Sequence, residues 1–279
     1  MNALSSEQRA AFWRDGYMCC TSLFSPEEVA LLECALSRTL ETDSEIKVME
    51  ADGATVRSVF ASHKNSIAAE FVARSERLLG VAEDLLGTTA CIYQSKYNLK
   101  DAFSGDIWEW HQDYLNWERE DGLPSDQLVT AMLFIDDATE FNAPLIVIPR
   151  SHQYGVIDVE RRSDTPAQGA SDWQDTHAAR LRYHIPEGTI RDLVQKHGMA
   201  SMKGPAGTVC FFHSNLIHGS VTNLSPFRRA AYFVTYNRTD NVPRGGLSFR
   251  PDFIVGRDNA PLKTASDTEL RRVLLEEGT

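Results

Sequence analysis

The spacing of apolar positions changes period near residue 88. Before it, the pattern is mainly helical. Ser5 or Ser6 can cap a helix carrying Ala10, Phe12 and Trp13 that stops near Gly16. Ser25-Pro26-Glu27-Glu28 combines a capping serine, proline at the first position and acids in the first turn. Val29, Leu31, Leu32, Ala35, Leu36 and Leu40 then recur at helical spacing. Short extended pieces are expected over 46–61 around the turn Asp52-Gly53, and a second helical stretch from Ser66 to Leu86, ending at Gly87. From 88 onward CIYQSKYNL, LVTAMLFID, PLIVIP, GTVCFFH and RAAYFVTYN are short runs rich in β-branched and aromatic residues between turn clusters, which predicts strands. The polar stretch 155–200, with weak helical signals around 171–181 and 187–197, interrupts the strand series and reads as a lid or insertion.

These elements predict one domain over 1–279: a mainly helical layer over 1–87, a β-core over 88–240 and a C-terminal extension over 241–279. The expected architecture is helices packed on a β-sandwich or barrel whose mouth holds the site. A hydrophobic content of 42% and a charged content of 24% suit a soluble protein with a sizeable core. A net charge of −11 argues against nucleic acid or an anionic membrane as partner, because both need a basic face. No signal-peptide pattern and no apolar run of membrane-spanning length is visible, so a cytoplasmic location is expected. The five cysteines show no CxxC spacing and are expected as reduced, mostly buried thiols. The oligomeric state, monomer or homodimer, is left open.

The chemistry concentrates in His111-Gln112-Asp113 and, far downstream, His218. Alternation along a strand would turn His111 and Asp113 to one face, and two histidines with one carboxylate form the facial set that holds non-haem Fe(II) and leaves positions open for O2 and a co-substrate. His213 is the rival third ligand; His152, His177, His184 and His197 read as ordinary polar groups. An oxygenase of this type commonly draws two electrons from a 2-oxo acid, whose far carboxylate suits an arginine fork. Arg228 or Arg229 can supply it, since adjacent strand residues face opposite ways, and Ser220 can add a hydroxyl. Trp108, Trp110, Tyr114 and Trp117 surround the His-x-Asp segment as core or pocket wall.

Several segments together resemble the phytanoyl-CoA dioxygenase family of Fe(II)/2-oxoglutarate oxygenases, within it the bacterial branch of ectoine hydroxylase and the free-amino-acid hydroxylases. They are DGATVRSVFASH, YQSKYNLKDAFSGDIWEWHQDYLNW, DGLP, EFNAPLIVIPRSH, FFHSNLIHGSVTNLSPFRR and RPDFIVGRD. The resemblance implies a double-stranded β-helix (a cupin-like jelly roll, mainly β) buttressed by N-terminal helices. It implies iron on His111, Asp113 and His218, with Gln94, Asn98, Ser220 and Arg229 around 2-oxoglutarate. It places Arg57 and His63 in a segment bordering the substrate, where Trp110 is a further candidate contact; Arg250 is another carboxylate partner. The presence of Asp113 favours hydroxylation over halogenation, and Arg150 stands where relatives commonly have glycine. The expected reaction is hydroxylation of an unactivated C–H of a small molecule, foremost a free aliphatic L-amino acid. Alternatives are ectoine, a carrier-bound amino acid or a natural-product intermediate, with a non-catalytic jelly-roll binding protein or a zinc hydrolase more remote.

Overall fold

The computed structural model describes residues 4–42, 44–157, 159–161, 181–247 and 250–277. In chain order its elements are α1 (Ser6–Asp15), β1 (Tyr17–Cys20), α2 (Pro26–Glu41), β2 (Lys47–Met49), β3 (Val56–Phe60), α3 (Ser62–Asn65), α4 (Ile67–Ala73) and α5 (Val81–Leu86). They continue with β4 (Ala90–Lys100), β5 (Trp108–His111), α6 (Asp113–Asp121), β6 (Leu128–Phe134), β7 (Leu145–Val147), β8 (Glu160–Arg161), β9 (Tyr183–His184) and α7 (Glu187–His197). The last are β10 (Ala200–Met202), β11 (Val209–His213), β12 (His218–Ser220), β13 (Arg229–Arg238) and α8 (Asp267–Glu277).

Two antiparallel sheets face each other as a jelly roll. The larger has seven strands in the order β1-β11-β6-β13-β4-β3-β2 and the smaller has four, β10-β7-β12-β5; β8 and β9 form a separate ribbon. Period-two alternation divides the large sheet's side chains between two cores. Val129, Ala131, Leu133, Val209, Phe211, Ala230, Tyr232 and Val234 join the helical residues Leu32, Leu36, Ala69, Val72, Leu270 and Leu274 in one cluster. Met132, Phe134, Phe212, Ala231 and Phe233 turn the other way and pack on Leu145 and Val147 of the small sheet. The Tyr232 and Tyr236 hydroxyls donate to the carbonyls of Ala69 and Ala73 at 3.1 and 2.5 Å, which fixes α4 on the back of β13.

Both anticipated capping serines act as caps: Ser5 and Ser25 accept from the backbone of Gln8 and Glu28, and those side chains accept from the cap backbones in return. The extended pieces expected over 46–61 are β2 and β3, which with β1 add three strands from the mainly helical first 87 residues to the large sheet. Three expectations change. The stretch Ser66–Leu86 is broken rather than continuous: Ser75 is extended and bridges Ala265, and a π-helical turn at Glu76–Gly80 separates α4 from α5. In the 155–200 stretch the helix expected near 187–197 is α7, which buries Leu193 in a cluster with Ile148, Ile185 and Ile217, so this part is packed; residues 171–180 of the other helical signal lie outside the described residues. Finally, Cys19 and Cys210 are not free thiols. Antiparallel pairing of β1 with β11 sets them opposite each other and they form a disulfide across 191 residues of sequence, a proximity that spacing does not show. Cys91 is buried, Cys20 half-buried and Cys34 exposed.

Arg150 adopts φ +67°, the left-handed region that favours glycine, and its side chain makes a long contact of 3.4 Å with Asp15 at the surface. Relief of that conformation is worth about 1 kcal/mol, against little from an exposed ion pair. Arg150→Gly is therefore expected to raise the thermal midpoint by a few degrees, and a lowered midpoint in calorimetry would count against this account.

Candidate metal and co-substrate site

β5 and β12 are neighbours in the small sheet, and their register sets His111 directly opposite His218. β5 ends at His111; Gln112 is extended, and Asp113 opens α6. A turn from strand into helix therefore brings His111 and Asp113 together, rather than the strand alternation expected from His-x-Asp. Gln112 holds that turn: its amide donates to the carbonyls of Gly155 and Asn215 and accepts from Ile157 N–H, all at 2.8 Å. At the first position of α6 the Asp113 carboxylate also lies at the positive end of the helix dipole.

The three ligating atoms of His111, Asp113 and His218 lie within 4.8 Å of one another, the single such cluster among the described residues. His111 Nε2 is 3.7 Å and His218 Nε2 3.8 Å from the Asp113 oxygens. Each Nδ1 faces a backbone carbonyl, Glu109 O at 2.6 Å and Leu216 O at 2.9 Å. An Nδ1–H donated there leaves the Nε2 lone pairs aimed at the same point as the carboxylate, the arrangement a metal requires. Burial and neighbouring His111 push His218 down to about 4, against the opposite pull of Asp113, so its imidazole is neutral at physiological pH. Burial works to raise Asp113, but His218 and His111 hold its carboxyl well below the usual range. A neutral N₂ and anionic O donor set fits a divalent iron.

The cavity beside this cluster is lined by Gln94, Lys96, Asn98, Trp108, Asn116, Trp117, Thr130, Leu145, Leu181, Ser220, Arg229, Phe233, Thr235 and Arg250 as well as the three candidate ligands. Arg229 opens β13 and faces in; Arg228 faces out, bonded to Asp136 and Glu33. One Arg229 amino group donates to Ala143 O at 3.0 Å, while its Nε and the Ser220 hydroxyl are buried without a hydrogen-bond partner among the described residues. Burial pushes the guanidinium down to about 10, and Asp136 is the charge that opposes this. A buried cation with spare donors beside an orphaned hydroxyl is a site built for a carboxylate. Lys100, paired in register with Arg229, is driven down to about 7 by burial and then by that arginine.

Other anticipated residues fall elsewhere. Arg57 is not at the cavity: it is buried behind Trp108, 3.8 Å from the ring centroid, and bonded to Glu50 at 2.8 Å and to the carbonyls of Asp106 and Ile107. His63 bonds Ser95 Oγ at 2.6 Å, and Trp110 packs on the Ile148–Ile217 cluster. His213 accepts from Asn215 N–H and stacks near His152, outside the metal cluster. Arg250 lines the cavity but is already clamped by Asp121. Sequence reasoning passed over Lys96, although it lies between Gln94 and Asn98 on one face of β4, where alternation alone puts it.

A jelly roll holding two histidines, a carboxylate and an inward arginine in one cavity defines a non-haem iron oxygenase. The chain matches the phytanoyl-CoA dioxygenase family over residues 12–231 and belongs to that family, and so is a 2-oxoglutarate-dependent iron dioxygenase that uses Fe(II), 2-oxoglutarate and O2. It is 33% identical over 259 residues to the L-proline trans-4-hydroxylase of Streptomyces griseoviridis, covering 92% of this chain and 94% of that one. It is 35% identical over 262 residues to the ectoine dioxygenase of Sphingopyxis alaskensis, covering 91% and 83%. The crystal structure of EctD from S. alaskensis with 2-oxoglutarate and 5-hydroxyectoine superposes with a TM-score of 0.81 at 32% identity, over 95% of this chain and 89% of that one. Among the described residues no helix is long and apolar enough to cross a membrane.

Proposed function

We propose that the chain hydroxylates an unactivated C–H of a free aliphatic L-amino acid while 2-oxoglutarate is converted to succinate and CO2. The observation that carries this is the meeting, in one cavity, of a metal set with backbone-anchored imidazoles and an arginine that makes no ion pair among the described residues. His111, Asp113 and His218 would hold Fe(II), and Arg229 with Ser220 would hold the distal carboxylate of 2-oxoglutarate. Bound iron and 2-oxoglutarate supply the two-electron activation of O2 that side chains lack. The protein orients the reactants and keeps water out: Trp108, Trp117, Leu145 and Phe233 wall the cavity with apolar surface, and Gln94 is fixed by donating to Ile254 O at 2.8 Å. Ectoine is the second reading, favoured by the likeness to ectoine dioxygenases and to a neighbour solved with 5-hydroxyectoine.

Fe(II)-loaded protein mixed anaerobically with 2-oxoglutarate, then exposed to O2 with each free amino acid and ectoine, tests both readings by mass spectrometry. Succinate coupled to a product heavier by one oxygen atom names the substrate; no succinate with any compound would sink the proposal. Arg229→Ala is expected to raise the KM for 2-oxoglutarate by about 10- to 100-fold, the worth of a charge-assisted pair, with a much smaller change in the substrate's KM. An unchanged KM for 2-oxoglutarate would remove Arg229 from the clamp.

A further inference from the structure

Lys96 is the cavity group that the iron and 2-oxoglutarate leave unexplained. Its register partner across the sheet is Phe233, and its Nζ sits 5.4 Å from the Trp108 ring, 5.5 Å from Phe60 and 5.8 Å from Phe233. Among the described residues it has no hydrogen bond or ion pair. Burial works against its charge, Asp113 is the carboxylate that favours it, and the nearby Arg57 and Arg250 oppose it. Those two arginines are neutralised by their own buried partners, Glu50 and Asp121.

Counting charges shows what is missing. A divalent metal against Asp113 leaves one positive charge, and Arg229 adds a second. The two carboxylates of 2-oxoglutarate cancel both, and the Lys96 ammonium remains. Position also separates the two cations: Arg229 is in register with Lys100, four residues or roughly 13 Å along β4 from Lys96. A partly buried ammonium in an aromatic box, facing the metal cluster, calls for one more anion, and the substrate is the reactant left to bring it.

We propose that Lys96 anchors a free carboxylate of the substrate, so that the enzyme accepts free acids and zwitterions and rejects the same side chains presented as esters, amides or carrier-bound thioesters. This rests on the dioxygenase reading and narrows it: amino acids and ectoine stay within the substrate class, while carrier-bound residues fall outside it.

The test is equilibrium binding to the anaerobic Fe(II) protein saturated with 2-oxoglutarate, so that no turnover is needed. The probes are L-proline, L-leucine and ectoine, with the methyl esters of the two amino acids. Wild type is expected to bind at least one free acid ten- to a hundredfold more tightly than its ester. Lys96→Gln should erase that preference while its affinity for 2-oxoglutarate, titrated separately, stays within threefold, and Lys96→Arg should restore much of it. The proposal is overturned if wild type binds acid and ester alike, if Lys96→Gln keeps the preference, or if that variant loses affinity for 2-oxoglutarate in parallel. Acid preference that depends on Lys96 in a protein that makes no succinate would uphold the anchor and remove the hydroxylase reading.

Discussion

Asp113→Ala is expected to leave a folded protein that retains almost no iron and makes succinate on the order of 1,000-fold more slowly. The carboxylate is the only anionic member of the cluster and spans both imidazoles, 3.7 Å from one and 3.8 Å from the other. Two neutral nitrogens remain without it, and neither compensates for the lost charge. The fold should survive because His218 is already neutral near pH 7 and the imidazoles keep their carbonyl partners. Iron content after desalting, succinate formation and far-ultraviolet circular dichroism measured together decide the matter. A variant that binds iron as wild type does would show that the ligand set is misassigned, whereas loss of the circular dichroism signal would make Asp113 structural.

What sequence shows of this site follows from which physical signals are local. His111, Asp113, His218 and Arg229 are chemically unusual in their setting, and each stands where the structure forms the cluster or its neighbouring cavity. The features that orient them are not visible in a one-dimensional pattern. The carbonyls of Glu109 and Leu216 that face the imidazoles belong to backbone and carry no residue signature. The strand-to-helix switch at Gln112 depends on bonds to Gly155, Asn215 and Ile157, all distant in sequence.

Arg57 shows the opposite difficulty. An arginine near a suspected pocket invites a carboxylate ligand, but Glu50, seven residues earlier across the β2–β3 turn, already pairs with it in the interior. The disulfide likewise depends on a sheet pairing between the first and eleventh strands in chain order, with Cys19 in β1 and Cys210 in β11. Helix starts, by contrast, were legible at Ser5 and Ser25, because a capping box is complete within four residues.

Asp121→Ala is expected to cost about 3–5 kcal/mol of stability, because it strands a buried cation. Asp121 closes α6, the helix that Asp113 opens. Its carboxylate accepts from Arg250 Nε at 2.9 Å, from an Arg250 amino group and from the Tyr93 hydroxyl, and Arg250 and Asp121 are 1% and 5% exposed. Burial opposes the Arg250 charge, yet Asp121 raises the guanidinium above its ordinary range; without that carboxylate only the weaker effects of Tyr93 and Glu120 stand against burial. At about 2–4 °C per kcal/mol for a chain near this size, the thermal midpoint should fall by roughly 6–20 °C. Urea denaturation checks the free energy, and a loss below about 1 kcal/mol would show that water or another acid replaces the carboxylate. Asp121→Ala/Arg250→Met should recover most of the loss, since it removes the stranded charge together with its partner. It should nevertheless change substrate affinity, because Arg250 also lines the cavity. That separation of recovered stability from altered binding distinguishes a residue that only holds α6 in place from one that also shapes the pocket.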